Sequence, residues 1–249
     1  MMEGQFYLTL PSNSSMKLYP NNTLADFTIN LSPPLDLSGD WEVALSEIQY
    51  PHTWNNVRIP YNVFYTRRNG GIPNSVSIPA GYYKSIQKIL KAMMEAMDPS
   101  TKRDLALTYN SITRHVTVEV KNNFEILLGD GLAPLLGFDN ETSIKKKSES
   151  PRVTNVGCGF HSLYLYADVV QAQAVGDVRV PLLRIVNIEG KDGDTITKTF
   201  QNPFYLPVSR KYVERISCNI KDDTNQLVPF ESGKLIATLH FKRSKPFYL

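Results

Sequence analysis

The side chains able to do chemistry in this 249-residue chain are few and scattered. The four histidines are His52, His115, His161 and His240, and no pair shows the HxH or HExxH spacing of a metal site. Cys158 and His161 could in principle form a thiolate–imidazole dyad, with Gly157 and Gly159 leaving the thiol open. No partner carboxylate or oxyanion motif accompanies them. Asp192 and Asp194 offer two carboxylates of a calcium loop without the rest of its ligand series, and a glycine turn between strands accounts for them. No GxSxG, P-loop or GxGxxG run occurs. The expectation is therefore a protein that is not an enzyme, with no catalytic residues, no metal and no cofactor.

A denser cluster of functional side chains closes the stretch WEVALSEIQYPHTW, residues 41–54. Trp41, Val43 and Leu45 follow the two-residue period of a strand. After Ser46 the apolar parity moves to Ile48 and Tyr50, as one extra residue would make it do, or as a strand end buried on both faces would. Tyr50, His52 and Trp54 then crowd together. Tyr and Trp bring buried area with one polar handle each, which suits a packed corner or a subunit contact. Further aromatics fall in loops (Tyr61, Phe64, Phe204 and Tyr205) and in the C-terminal stretch KRSKPFYL (Phe247 and Tyr248, followed by Leu249). With 13 Tyr and 11 Phe, the chain holds more aromatics than one modest core requires. These ten residues are the candidate subunit-contact set. Whether the C-terminal stretch docks on its own domain or on a neighbouring chain stays open.

The elements that must position these groups are mostly strands. Before residue 79 the runs 5–10, 24–31 and 41–50 alternate with a period of two, and SPPLDLSGD reads as a loop because its prolines deny ladder hydrogen bonds. After residue 159 the runs 160–170, 181–188, 195–200, 212–220 and 234–242 resume that period. Between them the texture changes. Ile86, Ile89, Leu90, Met93, Met94 and Met97 follow helical spacing, with Ser85 as N-cap and Pro99 as the stop. A hairpin around NSITR, a short strand at 123–128 and a helical turn at 131–138 complete an α+β block. Residues 139–159, polar and bearing KKK at 145–147, read as a linker.

The expected organisation is a jelly roll from 1–78 and 160–249, an insertion at 79–138 and a linker at 139–159. Eight strands outside the insertion predict a mainly β fold: a single eight-stranded antiparallel jelly-roll sandwich with a small α+β insertion. Helices do not alternate with strands, which excludes a parallel α/β sheet.

Composition narrows the partners. A formal net charge of +3 and scattered basic residues argue against a specific nucleic-acid binder. No run is long and apolar enough for a membrane helix, and no signal peptide is read at the start, so membrane insertion is not expected. Cys158 and Cys218, far apart, read as free thiols in a reducing compartment. The sequons at Asn13, Asn22 and Asn140 then carry no glycan. No small-molecule substrate is indicated.

Four long phrases carry a resemblance: FYLTLPSNSS, DLSGDWEVALSEIQYPHTW, SLYLYADVVQAQAVGDVRVPLLRIV and the stretch from NPFYLPVSRKYVERISCNI to KLIATLHFKR. They resemble the minor capsid (penton) proteins of Maverick/Polinton elements and adintovirus-like viruses. The resemblance implies a structural protein forming homopentamers at the fivefold vertices of an icosahedral capsid, beside a double-jelly-roll major capsid protein. It implies a virion location, synthesis in the host cytoplasm and assembly in the nucleus. It brings no catalytic residue. The Arg-Gly-Asp tripeptide of the more distant adenovirus pentons is absent. Two other classes stay open at this level: a non-catalytic lectin-like or ligand-like jelly-roll module, and a cupin-like metalloenzyme, which the histidine spacing disfavours.

Overall fold

The structure, a computed structural model, describes residues 4–157 and 161–244. It begins with β1 (Gln5–Pro11), β2 (Asp26–Asp36) and β3 (Trp41–Pro51). Next come β4 (Val63–Arg68), β5 (Asn74–Ser77), α1 (Ile86–Ala96), α2 (Pro99–Lys102), β6 (Leu105–Asn110), β7 (His115–Val120) and β8 (Phe124–Leu128). α3 (Leu132–Leu135), β9 (Ser143–Ile144) and β10 (Ser148–Glu149) follow. The chain continues with β11 (Ser162–Ala167), β12 (Gln173–Val175), β13 (Val178–Val180), β14 (Leu182–Asn187), β15 (Thr195–Thr199), β16 (Leu206–Pro207), β17 (Tyr212–Lys221) and β18 (Ile236–Arg243). Two compact units result, one from residues 1–54 and 160–249, the other from 55–159. No helix among the described residues is long and apolar enough to cross a membrane.

The first unit is a sandwich of two antiparallel sheets, ordered β1-β18-β3-β15 and β14-β11-β17-β2, with β16 as an extra partner of β3. Its eight principal strands are the eight expected from the period of two. The steps β1 to β2, β2 to β3, β14 to β15 and β17 to β18 each switch sheets, which is the connectivity of a jelly roll. The apolar face of each strand supplies the core: Phe27 and Ile29 from β2, Leu163 and Leu165 from β11, Ile216 and Cys218 from β17, Leu239 and Phe241 from β18.

The parity switch in β3 has a local cause. Thr238 pairs with Glu47 but the next residue of β18, Leu239, pairs with Leu45. Ser46 is thus an extra residue in β3, and its carbonyl accepts from Phe200 N at 2.8 Å instead. Trp41, Val43 and Leu45 face the core before the bulge, and Ile48 and Tyr50 after it.

The expected loop after residue 31 is instead part of β2. The strand runs on to Asp36, and its register against β17 jumps from Asn30–Arg215 to Leu35–Val213. The two prolines sit in that jump on an edge strand, where their missing N–H groups cost no ladder bond.

The second unit is larger than the insertion expected at 79–138. β4 pairs with β5 and with β8, so residues before 79 belong to it, and Phe64, Val76 and Ile78 join its core. The expected linker at 139–159 is also part of this unit. β9 pairs with β8, β10 with β7, and Arg152 N, Thr154 N and Asn155 N donate to Gly137 O, Arg114 O and Leu135 O. Its polarity belongs to edge segments whose backbone is bonded, not to a free tether. α1 forms as its spacing predicts. Ile86, Ile89, Leu90 and Met93 are buried, and Ser85 Oγ accepts from Lys88 N at 3.4 Å.

Candidate functional site

The register of β1, β18 and β3 brings an unusual group of side chains to the outer face of their sheet. Tyr7 lies opposite His240, and Glu42 opposite Lys242. Leu239 and Phe241 alternate with His240 and Lys242, so the first pair fills the core and the second points away from it. The Tyr7 ring stacks on the His240 ring at 4.3 Å.

Residues 200–207 cross this face. Phe200 N is tied to Ser46 O at one end, and Leu206 pairs with Val43 at the other. Between them, the Tyr205 hydroxyl meets His240 Nδ1 at 2.7 Å, and Lys242 Nζ sits 3.5 Å from the centre of the Tyr205 ring. A cation over a ring face is attracted by its quadrupole. Lys242 also approaches Glu42 at 3.7 Å. Burial pushes the Tyr205 phenol up, with Tyr7 and Glu42 adding to it.

Beside Tyr205, Phe204 is 70% exposed. Its ring and that of Phe200 flank the Arg184 guanidinium, 5.4 and 4.4 Å from the ring centres. Arg184 Nη1 and His240 Nε2 are both buried without a hydrogen-bond partner among the described residues. The patch thus combines open aromatic area with polar groups held ready, the composition enriched at the centres of protein interfaces.

Other members of the candidate contact set lie elsewhere. Tyr50 is fully buried, and its hydroxyl accepts from Glu189 N at 3.0 Å. His52 Nδ1 lies 3.2 Å from Glu189 O, and its ring stacks on Trp54 at 4.1 Å. Trp54 is itself buried and packs edge-on against Phe230. These three are buried in the jelly roll. Phe64 is likewise buried, in the core of the second unit. Tyr61, in that unit, is 55% exposed. Phe247, Tyr248 and Leu249 lie outside the described residues, as does Cys158. Phe204 and Tyr205 were legible as loop aromatics. Tyr7, His240 and Arg184 were missed as their companions, because only strand register and the path of 200–207 join them.

Several of the remaining chemistry-bearing residues are held in structural contacts. His115 Nδ1 lies 2.6 Å from Ser150 O. The backbone N–H of His161, whose side chain is exposed, donates to Asp223 Oδ2. Burial pushes the Cys218 thiol far up, which keeps it un-ionised. Asp194 closes the turn after β14: its carboxylate accepts from Lys191 N at 2.7 Å, and Gly190 and Gly193 take the positive φ the turn needs. Among the described residues no three of His, Cys, Asp or Glu gather as a metal-binding group.

The class this defines is an antiparallel jelly roll with an α+β unit set between its third and fourth sandwich strands, and with an aromatic, cation-bearing outer patch. No family model matches the sequence, and no curated protein matches it. Among solved structures, the chain is similar to the mavirus penton protein, with a TM-score of 0.51, 11% sequence identity, and coverage of 96% of this chain and 100% of that one. A second similar structure comes from the Sputnik virophage, with a TM-score of 0.49, 12% identity, and coverage of 97% and 98%. At such identities the likeness to the mavirus protein is one of fold, in both units and over nearly the full length.

Proposed function

We propose that this chain is a structural minor capsid (penton) protein that forms homopentamers at the fivefold vertices of an icosahedral virion, beside a double-jelly-roll major capsid protein. The observation that carries this reading is the end-to-end likeness in fold to the mavirus penton protein. The resemblance of the four long phrases to Maverick/Polinton and adintovirus pentons points the same way. So does the exposed Phe204 with its Arg184 and Tyr205 neighbours, since aromatic and Arg anchors dominate subunit contacts. In this reading the chain performs no catalysis, and a heterologous contact repeated around a fivefold axis closes into a ring.

Native mass spectrometry of the purified chain tests it. A mass of about 140 kDa, five times the 28.1 kDa chain, is expected. A chain that stays monomeric at high concentration overturns the pentamer. Removing Pro246–Leu249 should weaken assembly with the subunit still folded, and an unaffected pentamer would remove only that segment's role.

A further inference from the structure

His240 combines three features that a simple structural histidine lacks. It is 8% exposed, yet its Nε2 has no hydrogen-bond partner among the described residues. Its Nδ1 holds a hydroxyl from a segment with no strand pairing of its own, residues 201–205. Its nearest cation, Lys242, points to the same face of the same strand. We propose that His240 is a pH-sensitive latch for residues 201–205: protonating its imidazole undocks Tyr205 and frees that segment from the outer face of the β1–β18–β3 sheet.

The argument does not depend on the tautomer. Either neutral tautomer protonates to one imidazolium. Its Nδ1–H donates to the Tyr205 oxygen, but its Nε2–H has no acceptor among the described residues. A positive charge thus appears in a buried position, and undocking Tyr205 lets water reach it.

The groups that could answer that charge can be named element by element. From β1, Tyr7 stacks on the ring and offers a π face but no carboxylate. From the crossing segment comes Tyr205, a neutral phenol. From β18 itself comes Lys242, which repels. From β3, the residue opposite His240 is Ala44, and the nearby carboxylate, Glu42, already faces Lys242 at 3.7 Å. Burial first, and Lys242 second, accordingly lower the affinity of this imidazole for a proton.

The sign follows. At pH well above the ordinary histidine value of 6.5, docked and released states are both neutral and the latch holds fully. As the pH falls below that value, the released state takes up the proton first and docking weakens. The loss continues down to the lowered value of the docked state. The latch is a property of one chain and does not rest on the penton reading.

Fluorine NMR of the full chain carrying fluorotyrosine reads it directly, with the Tyr205 signal assigned from Tyr205→Phe. Between about pH 7.5 and about pH 5 the Tyr205 signal of the wild type should move to the solvent-exposed position, with its midpoint below the ordinary histidine range. In His240→Gln, whose amide cannot take up a proton, the signal should not move. A wild-type signal that stays fixed, or one that moves equally in His240→Gln, overturns the latch. If His240→Gln does not fold, the imidazole resonance of His240 in the wild type decides. A midpoint shared with the Tyr205 signal supports the proposal, and separate midpoints overturn it.

Discussion

The two units solve the same problem with opposite kinds of contact. The jelly roll is held by pairing across almost the whole chain: β1 pairs with β18, Phe6 with Phe241 and Leu10 with Ala237. The second unit is built close to home, with β6 and β7 joined by a short turn and α1 packed within a few dozen residues of its partners. Non-local pairing is slow to form because the loop must close before the contact repays it. The difference suggests that residues 55–159 fold quickly on their own, whereas the jelly roll waits for the C-terminal strand.

Exchanging segments gives the largest effect. Replacing all of 55–159 with a short Gly/Ser linker should leave a folded, β-rich jelly roll by circular dichroism. Replacing only 79–138 should aggregate the chain, because it strips α1 and β8 from Phe64, Val76 and Ile78 and leaves their apolar faces open. Equal solubility of the two variants would dissolve the distinction between the units.

Next come two matched cavities. Phe27 in the jelly roll and Phe64 in the second unit are both buried. Each Phe→Ala change should cost about 3–5 kcal/mol by calorimetry. If the units unfold independently, each variant lowers one transition and spares the other. A single transition lowered equally by both would show that the units melt as one.

The smallest effect isolates a local device. Ser85→Ala removes the N-cap of α1 and should cost about 1 kcal/mol, read only in the transition of the second unit. A shift in the jelly-roll transition instead would contradict the division.

What the sequence made legible depended on whether a side chain's role was fixed by its neighbours in the chain or by distant ones. The eight sandwich strands showed because alternation is local, and the parity switch after Ser46 showed because it breaks that alternation, although a bulge and a strand end buried on both faces would look alike until the register against β18 is known. α1 and its cap were legible for the same reason. β4 was missed because Thr66 shares its buried face with Phe64, which blurs the apolar pattern of VFYTRR. The stretch from residue 139 was misread because the order of residues 139–157 comes from backbone bonds, which hydropathy does not encode. Tyr50, His52 and Trp54 looked like contact residues because each carries a polar handle. Their partners, Glu189 for the first two and Phe230 for the third, lie more than a hundred residues away. The outer patch was half visible. Its aromatics stand in QNPFY, but His240 acquires its meaning only from the strand opposite and the segment above.

The extra residue at Ser46 has a consequence for how this chain can vary. It acts as a phase shifter, letting odd positions before it and even positions after it point into one core. The service it provides is a count of one, rendered by its backbone, so many side chains should be acceptable there. Removing the residue altogether would turn either Trp41, Val43 and Leu45 or Ile48 and Tyr50 toward solvent. Among descendants of this sequence, position 46 should therefore change its letter freely and almost never lose it, while the neighbouring core positions should show the reverse economy, tolerating few letters.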